Sequence, residues 1–511
     1  MTADRPAEPD LEALAAELLA DVLADPTGAL APSVYETGRL VSLAPWLDGH
    51  AARVRFLLDQ QHPDGSWAGP DGYALVPTLS ATEALLAVLD ADAAARPAHA
   101  ERAELAAAAQ RGLAAAAGLC GNPAPSTVVF FMIIPALVAD INARLAAAGH
   151  CADPLPLPPG LSEAPLTALR AEAWRNPLAG HYLEIVGPVA VGAKEMEPVD
   201  GVIGCSAAAT AAWLGPDRPS DPDDPSVRFL AGAQARGAGT VPAMTSLVHY
   251  ERAWIVGNLA TAGFDLAPLA VLAAELPQDV GRLGAPTAPG FAHEAETTAI
   301  VLSALSALGR PEAPEYLWQY DAGTHFMSTI PEYQPSTTTN AHVLEAFGCY
   351  AALGTEDAAR HHEAVGRIAA WLGERQEADG SWSDKWHASP YFATMRCALA
   401  LHRYGGPGHR EQVRRAVGWV LDGQRADGSW GRWEGTAEET AYAMRILLDT
   451  LDGGGGQDAA VREAAVRGRD FLLAYGLRKS HSTLWIGKEL YVPSHLVRAA
   501  AIGALNAFRL R

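Results

Sequence analysis

Apolar residues recur at intervals of three and four along most of the chain, as in Leu11 to Leu23, Ala81 to Leu89, Leu105 to Leu119 and Ala459 to Leu473. That spacing gathers apolar side chains on one stripe of a helix, so each stretch predicts an amphipathic or buried helix. Period-two alternation, the mark of a half-buried strand, is nearly absent. Glycines and prolines fall between the helical stretches at intervals that suit short helix-to-helix connections. The pattern predicts an all-α packing of many antiparallel helices.

A repeat punctuates it. Gln61-His-Pro-Asp-Gly-Ser-Trp67, Gln376-Glu-Ala-Asp-Gly-Ser-Trp382 and Gln424-Arg-Ala-Asp-Gly-Ser-Trp430 each follow an apolar helical segment: Val54 to Leu58, Ile368 to Leu372 and Val417 to Leu421. Asp-Gly supplies a tight turn, and Gln and Trp can tie that turn to neighbouring helices.

Composition narrows the function classes. The 511 residues, 49% hydrophobic and 19% charged, are enough for two or three domains with real cores. A formal charge of −21 argues against a sequence-independent grip on nucleic acid or an anionic membrane, so an anionic ligand must be met by a few local cations. Cys120, Cys151, Cys205, Cys349 and Cys397 are odd in number and never form a CxxC pair, which speaks against a disulfide framework or a zinc site. The N-terminus lacks the basic and apolar regions of a signal peptide. The most apolar run, Val128 to Val138, is interrupted by Pro135 and reads as too short to span a bilayer. A cytoplasmic chain without stable membrane insertion is expected.

The three Q-x-x-D-G-S-W repeats resemble the QW motifs of the terpene cyclase superfamily. Asp384-Lys-Trp-His-Ala-Ser-Pro-Tyr-Phe-Ala-Thr394, Trp485-Ile-Gly-Lys-Glu-Leu-Tyr-Val-Pro493, His181-Tyr-Leu-Glu184, Gly204-Cys-Ser-Ala-Ala-Ala-Thr210 and Tyr250-Glu-Arg-Ala-Trp254 are similar to segments of bacterial class II diphosphate cyclases. The resemblance implies two α-helical barrels, termed β and γ, with the active site between them. It divides the chain into an N-terminal helix of the β barrel within 1–44, an inserted γ barrel over 45–278, and the rest of the β barrel over 279–511. Gly281 to Gly290 suits the crossing by composition.

Class II cyclases carry a D-x-D-D-T-A motif whose middle Asp protonates an alkene. Here the equivalent stretch is His293-Glu-Ala-Glu-Thr-Thr-Ala299, which aligns Glu294, Glu296 and Thr297 with the three acids. The carboxyl is kept at two positions, one methylene longer, and lost at the third. Burial beside a second carboxyl favours the neutral form of one member, so Glu296 is the expected proton donor and Glu294 its partner. Thr297-Thr298 is similar to the D-x-D-T-T variant of drimenyl diphosphate synthases, which implies farnesyl diphosphate as substrate. A C20 cyclase making a copalyl-type diphosphate, and a weakly active isoprenoid-binding protein, are the alternatives.

A carbocation needs an apolar wall of aromatic faces. Trp386, Tyr391 and Trp485 are the leading candidates, with Phe392, Trp433, His293 and Thr297 beside them. No D-D-x-x-D cluster or N-D-x-x-S-x-x-x-E pattern is present, so the product is expected to keep its diphosphate. Among only four lysines, Lys385 and Lys488 lie in the similar segments, and with Arg252 and Arg478 they are the expected diphosphate cations. Mg²⁺ carried by the diphosphate and one carboxylate, Glu184, is the expected metal, with no organic cofactor. The deprotonating base stays open among His293, His387, a tyrosine and water.

Overall fold

The structure, a computed structural model, describes residues 9–25, 27–90, 99–149, 153–216, 221–237, 239–355, 357–451, 458–476 and 482–511. Its helices are of two kinds. In Arg410–Asp422 the buried positions Val413, Ala416, Val417 and Val420 are spaced three and four apart, and Arg410, Glu411 and Arg414 face water. Ala437–Asp449, in contrast, is buried on every side from Ala437 to Leu448. A helix with one apolar stripe belongs on an outer layer, and one buried all round belongs inside.

These two kinds build two barrels, each with an inner and an outer ring. One inner ring runs Val248–Thr261, Ala295–Ala307, Thr337–Ala351, Pro390–Tyr404, Ala437–Asp449 and Ser494–Arg509, each helix packed on the next and the last on the first. Leu11–Ala24, Leu266–Ala273, Ala358–Glu374, Arg410–Asp422 and Asp458–Tyr475 pack outside it. The other inner ring runs Val34–Leu43, Leu75–Asp90, Phe130–Ala147, the 3-10 helix Pro177–Ile185 and Ala207–Leu214. His50–Asp59, His99–Leu119, Ala164–Ala171 and Pro225–Arg236 cover it. The barrel of chain middle and end has one continuous core, which takes in Leu11 to Val22 from the N-terminus. The all-α, two-barrel reading therefore holds.

The boundary between barrels falls elsewhere than the sequence suggested. Val34–Leu43, assigned to the segment 1–44 of the β barrel, is an inner helix of the γ barrel. Val248–Thr261 and Leu266–Ala273, assigned to the γ barrel, belong to the β barrel. Glycine and proline content marked a break near residue 281, but a helix apolar on all sides carries no label for the barrel it fills. The segment 281–290 instead holds the strand Ala285–Pro286, which pairs antiparallel with His293–Glu294. The apolar run at 128–138 also differs: Phe130–Ala147 continues through Pro135 to 18 residues, long and apolar enough to cross a membrane by length and composition, as is Asp71–Asp90. Half of the first apolar stretch and 83% of the second are buried against the protein.

The repeats explain how the rings are tied. In each, the Trp indole N–H donates to a carbonyl of the preceding outer helix: Trp67 to Leu57 at 2.6 Å, Trp382 to Leu372 at 2.8 Å and Trp430 to Val420 at 2.7 Å. The Gln amide donates to the next outer helix, at Ala108, Gln412 and Ala464. The Trp backbone N–H donates to Thr78, Thr394 or Thr440 of an inner helix. Glycine is required in the turn: at Gly380, φ is +101° and a Cβ would lie 2.6 Å from the Arg415 carbonyl oxygen.

Candidate active site

The strand pair Ala285–Pro286 and His293–Glu294 delivers the chain to the start of the inner helix Ala295–Ala307. Glu294 caps that helix, its carboxylate accepting the N–H of Glu296 at 2.9 Å and of Thr297 at 2.7 Å. The Thr298 hydroxyl accepts from the Ala285 N–H and donates to the Glu294 carbonyl, which pins strand to helix. Glu296 sits in the first turn and meets the first turn of Thr337–Ala351. There Thr339 donates to Oε2 at 2.9 Å, and the Thr338 hydroxyl lies 3.2 Å from Oε1.

Both acids are buried, Glu294 at 8% exposure and Glu296 at 5%. Burial raises the Glu294 pKa, and the N–H bonds at the helix start pull the other way. Glu296 is pushed up to about 8 by burial, then by the Glu294 and Asp384 carboxylates. At neutral pH Glu296 is therefore protonated. Beside Glu296, His342 Nε2 lies 3.7 Å from Oε1, and burial and then Arg396 lower the His342 pKa to about 4.

Glu294 and Glu296 open into a cavity of about 330 Å³ between the barrels. The γ barrel contributes Val129, Phe130, Phe131, Leu178, His181 and Tyr182. From the β barrel come Met244, Leu247, Tyr250, Phe291, Trp386, Trp485 and Tyr491. Trp485 is held by its indole N–H, which donates to Glu438 at 2.7 Å, and its ring packs edge-on against Tyr250. The wall is apolar and aromatic, with an acid at one point of it.

Of the residues singled out from sequence, Glu294, Glu296, Trp386, Trp485 and Lys385 meet at this cavity. The others among the described residues do not line it. Tyr391 packs on Trp419 in the outer layer, and Phe392 lies behind Trp485, 4.9 Å between ring centres. Trp433 donates to Asp71 on the outside. His293 is exposed, with Nδ1 bonded to the Leu283 carbonyl, because strand alternation turns it away from Glu294. Thr297 is wholly buried, its hydroxyl 3.3 Å from that of Thr287. His387 is buried behind Trp485 against Glu438.

The expected cations separate likewise. Lys385 reaches the cavity, donating to Ser328 and the Gln334 carbonyl, with Glu332 at 3.6 Å. Lys488 is buried between Glu36 at 2.6 Å and Glu184 at 2.8 Å, so its charge is already compensated. Arg252 is buried in an ion pair with Glu275. Arg478 lies outside the described residues. Glu184 Oε1 also accepts from the Tyr35 hydroxyl at 2.7 Å, and its Oε2 is buried without a partner. An ammonium thus takes the place a metal ion would fill, and among the described residues no three acidic, imidazole or thiol groups converge on a metal site. Glu184 does not fit Mg²⁺.

A family model described as Squalene-hopene cyclase C-terminal domain matches residues 329–449. The ent-copalyl diphosphate synthase of Streptomyces sp. (strain KO-3988) is 39% identical over 505 residues, 97% of this chain and 96% of the relative. The chain belongs to the class II terpene cyclases. The labda-7,13-dienyl diphosphate synthase of Streptomyces clavuligerus is 37% identical over 98% of this cyclase and 94% of the relative. The solved ent-copalyl diphosphate synthase from Streptomyces platensis superposes with a TM-score of 0.90 at 43% identity, covering 98% of this cyclase and all of that chain.

Several residues of the cyclase's cavity escaped the sequence reading. His181, Tyr250 and Tyr491 lay inside the segments that carried the resemblance, but nothing in sequence says which side chain of a segment faces inward. Phe130 and Phe131 were read as part of an apolar run. His342 had no signal at all, since its nearness to Glu296 exists only once two inner helices are side by side.

Proposed function

We propose that this cyclase converts geranylgeranyl diphosphate to a bicyclic, copalyl-type diphosphate by proton-initiated cyclisation. The buried, protonated Glu296 opening into an aromatic cavity between the barrels is the observation that carries the chemistry. The C20 choice rests on relatives named for copalyl and labdadienyl diphosphates that align along nearly the whole chain. Farnesyl diphosphate, suggested by Thr297-Thr298, is the less supported substrate.

In this reading the Glu296 O–H bond breaks as its proton forms a C–H bond with the distal alkene. The carboxylate left behind is stabilised by Thr339 and Thr338. Ring closure then moves the positive charge along the chain past Trp386, Trp485, Tyr250 and Tyr491, whose faces stabilise a nearby cation by roughly 0.5–2 kcal/mol each. A base removes one proton, so the net reaction is an isomerisation. His181, which lines the cavity, is the base in this reading. Its Nδ1 lies 2.7 Å from the Gly204 carbonyl, which makes Nδ1 the donor and leaves Nε2 with a lone pair. Burial and Lys488 lower its pKa to about 4, so the ring is neutral at pH 7.

The sequence lacks the metal-binding clusters that drive diphosphate departure, so the diphosphate is retained. Lys385 is its cation at the cavity, and Mg²⁺ enters only as the companion of the substrate. Incubation with C15, C20 and C30 substrates, with products analysed before and after phosphatase treatment, tests the proposal. A bicyclic alcohol seen only from the C20 diphosphate and only after phosphatase is expected. Turnover of farnesyl diphosphate in preference reinstates the C15 substrate, and turnover of squalene alone overturns the diphosphate reading.

A further inference from the structure

His342 poses a problem for an acid catalyst. A carboxylic acid beside a neutral imidazole tends to lose its proton to the ring, forming a carboxylate–imidazolium pair with no proton left for an alkene. Here Oε1 of Glu296 and Nε2 of His342 are 3.7 Å apart, both groups are buried, and Nε2 has no hydrogen-bond partner.

The other ring nitrogen decides the outcome. Arg396 Nη2, on the inner helix Pro390–Tyr404, lies 2.9 Å from His342 Nδ1. A guanidinium only donates, so Nδ1 must accept and the ring proton must sit on Nε2, facing Glu296. Arg396 is fixed in turn by an ion pair with Glu345, one turn beyond His342, and Glu345 also lies 3.5 Å from Arg403. Glu345 Oε2 is 3.8 Å from Nδ1, beyond hydrogen-bonding reach, so it does not compete for that nitrogen.

Resting on Glu296 as the proton donor, we propose that Arg396 is a positioning residue that locks His342 as the neutral Nε2–H tautomer, so that the imidazole cannot take the proton meant for the substrate. The charged and titratable groups around this pair are consistent with the lock. Arg396 and Glu345 meet His342 at Nδ1, the nitrogen that does not face Glu296, and Arg403 pairs with Glu345. Glu294 and Asp384 face Glu296 and oppose its ionisation. Tyr250 and Tyr491, from the cavity wall, have raised pKa values and stay neutral, as does Tyr442. Glu345 is held down to about 2 despite burial, chiefly by Arg396, so the Arg396–Glu345 pair persists across the working pH range.

The test uses the full-length protein and two readouts. In Arg396→Gln/Glu345→Gln, which replaces the ion pair by amides and leaves no buried lone charge, kcat at neutral pH should fall about tenfold or more with KM within about threefold. Its alkaline limb should move down by about one pH unit or more, because Glu296 now keeps its proton only when His342 is also protonated. Adding His342→Asn, whose amide cannot take a proton, should return the limb towards its original pH. A limb that stays in place, or a loss that His342→Asn does not reverse, overturns the proposal in favour of a packing role.

The second readout needs no active variant. The ¹⁵N shifts of histidine-labelled wild-type protein, with the His342 signals assigned by their loss in His342→Asn, should show a neutral Nε2–H ring from pH 5 to 8. An Nδ1–H tautomer or a charged ring overturns the lock. This measurement is made without substrate, so a failure of the substrate or reaction reading leaves its result standing.

Discussion

In the proposed reaction the chemistry turns on Glu296, and its pKa of about 8 sets the direction of the pH dependence. With the protonated form as the proposed donor, kcat should be flat near neutrality and fall as pH rises through about 8, measured by product formation under saturating substrate. Glu296→Gln keeps the shape and removes the acidic proton, so activity should drop by about 10²–10⁴ while substrate still binds. The raised pKa affects stability as well. A carboxyl with pKa raised from 4.5 in the folded chain stabilises fully below about 4.5, and that stabilisation is lost as pH rises through about 8. Glu296→Gln should therefore gain stability relative to the parent between pH 5 and 9, by at most about 1.4 kcal/mol for each tenfold difference in proton affinity between the folded and unfolded chain, as read by denaturant midpoints. The longer acid is seated by Thr338 and Thr339, so Glu296→Asp should pull the carboxyl away from both hydroxyls and slow turnover about tenfold or more. Acceleration in that variant is the opposite outcome and means the pocket is built for aspartate. At Lys385, replacement by Ala should raise KM about tenfold with little change in kcat if its ammonium meets the diphosphate.

The helical elements were largely legible, because a period of three to four needs no partner to be recognised. Leu11–Ala24, His99–Leu119 and Asp458–Tyr475 fall on stretches read as helices. The repeats marked the turns between outer and inner helices, and each Gln and Trp bonds as a tie between rings. Gly380→Ala should cost about 2 kcal/mol or more in stability, since φ is positive and the new Cβ meets the Arg415 carbonyl, which a thermal or denaturant melt can measure. What sequence could not supply was direction within an element. Trp386 faces the cavity, whereas Tyr391, further along the same segment, faces the outer layer; the strand position of Glu294 turns His293 out. The acid pair was legible as a motif, while its hydroxyl seats and His342 come from a different helix and became visible only in three dimensions.

The two barrels are joined across buried charges. Lys488, just after the strand Trp485–Ile486 on the β-barrel side, is held by Glu36 and Glu184 of the γ barrel and by Ser206. Burial works against its ammonium, and Glu184 and Glu36 more than offset that, so its pKa is raised. Removing it by Lys488→Ala leaves two buried carboxylates without their cation, and a loss of about 3–5 kcal/mol is expected. Neutralising both, with Glu36→Gln and Glu184→Gln added, should recover much of it. Lysine scarcity pointed to this residue, but only the packing of one barrel on the other shows it as a joint rather than a ligand for substrate. The cavity itself exists only because the barrels are held in this register. The most direct measurement of its chemistry is turnover of geranylgeranyl diphosphate in D₂O, followed by mass analysis of the intact product. A bicyclic diphosphate with one deuterium at the former terminal alkene carbon, absent in Glu296→Gln, is expected; release of inorganic pyrophosphate, or an unlabelled product, contradicts proton-initiated cyclisation with the diphosphate retained.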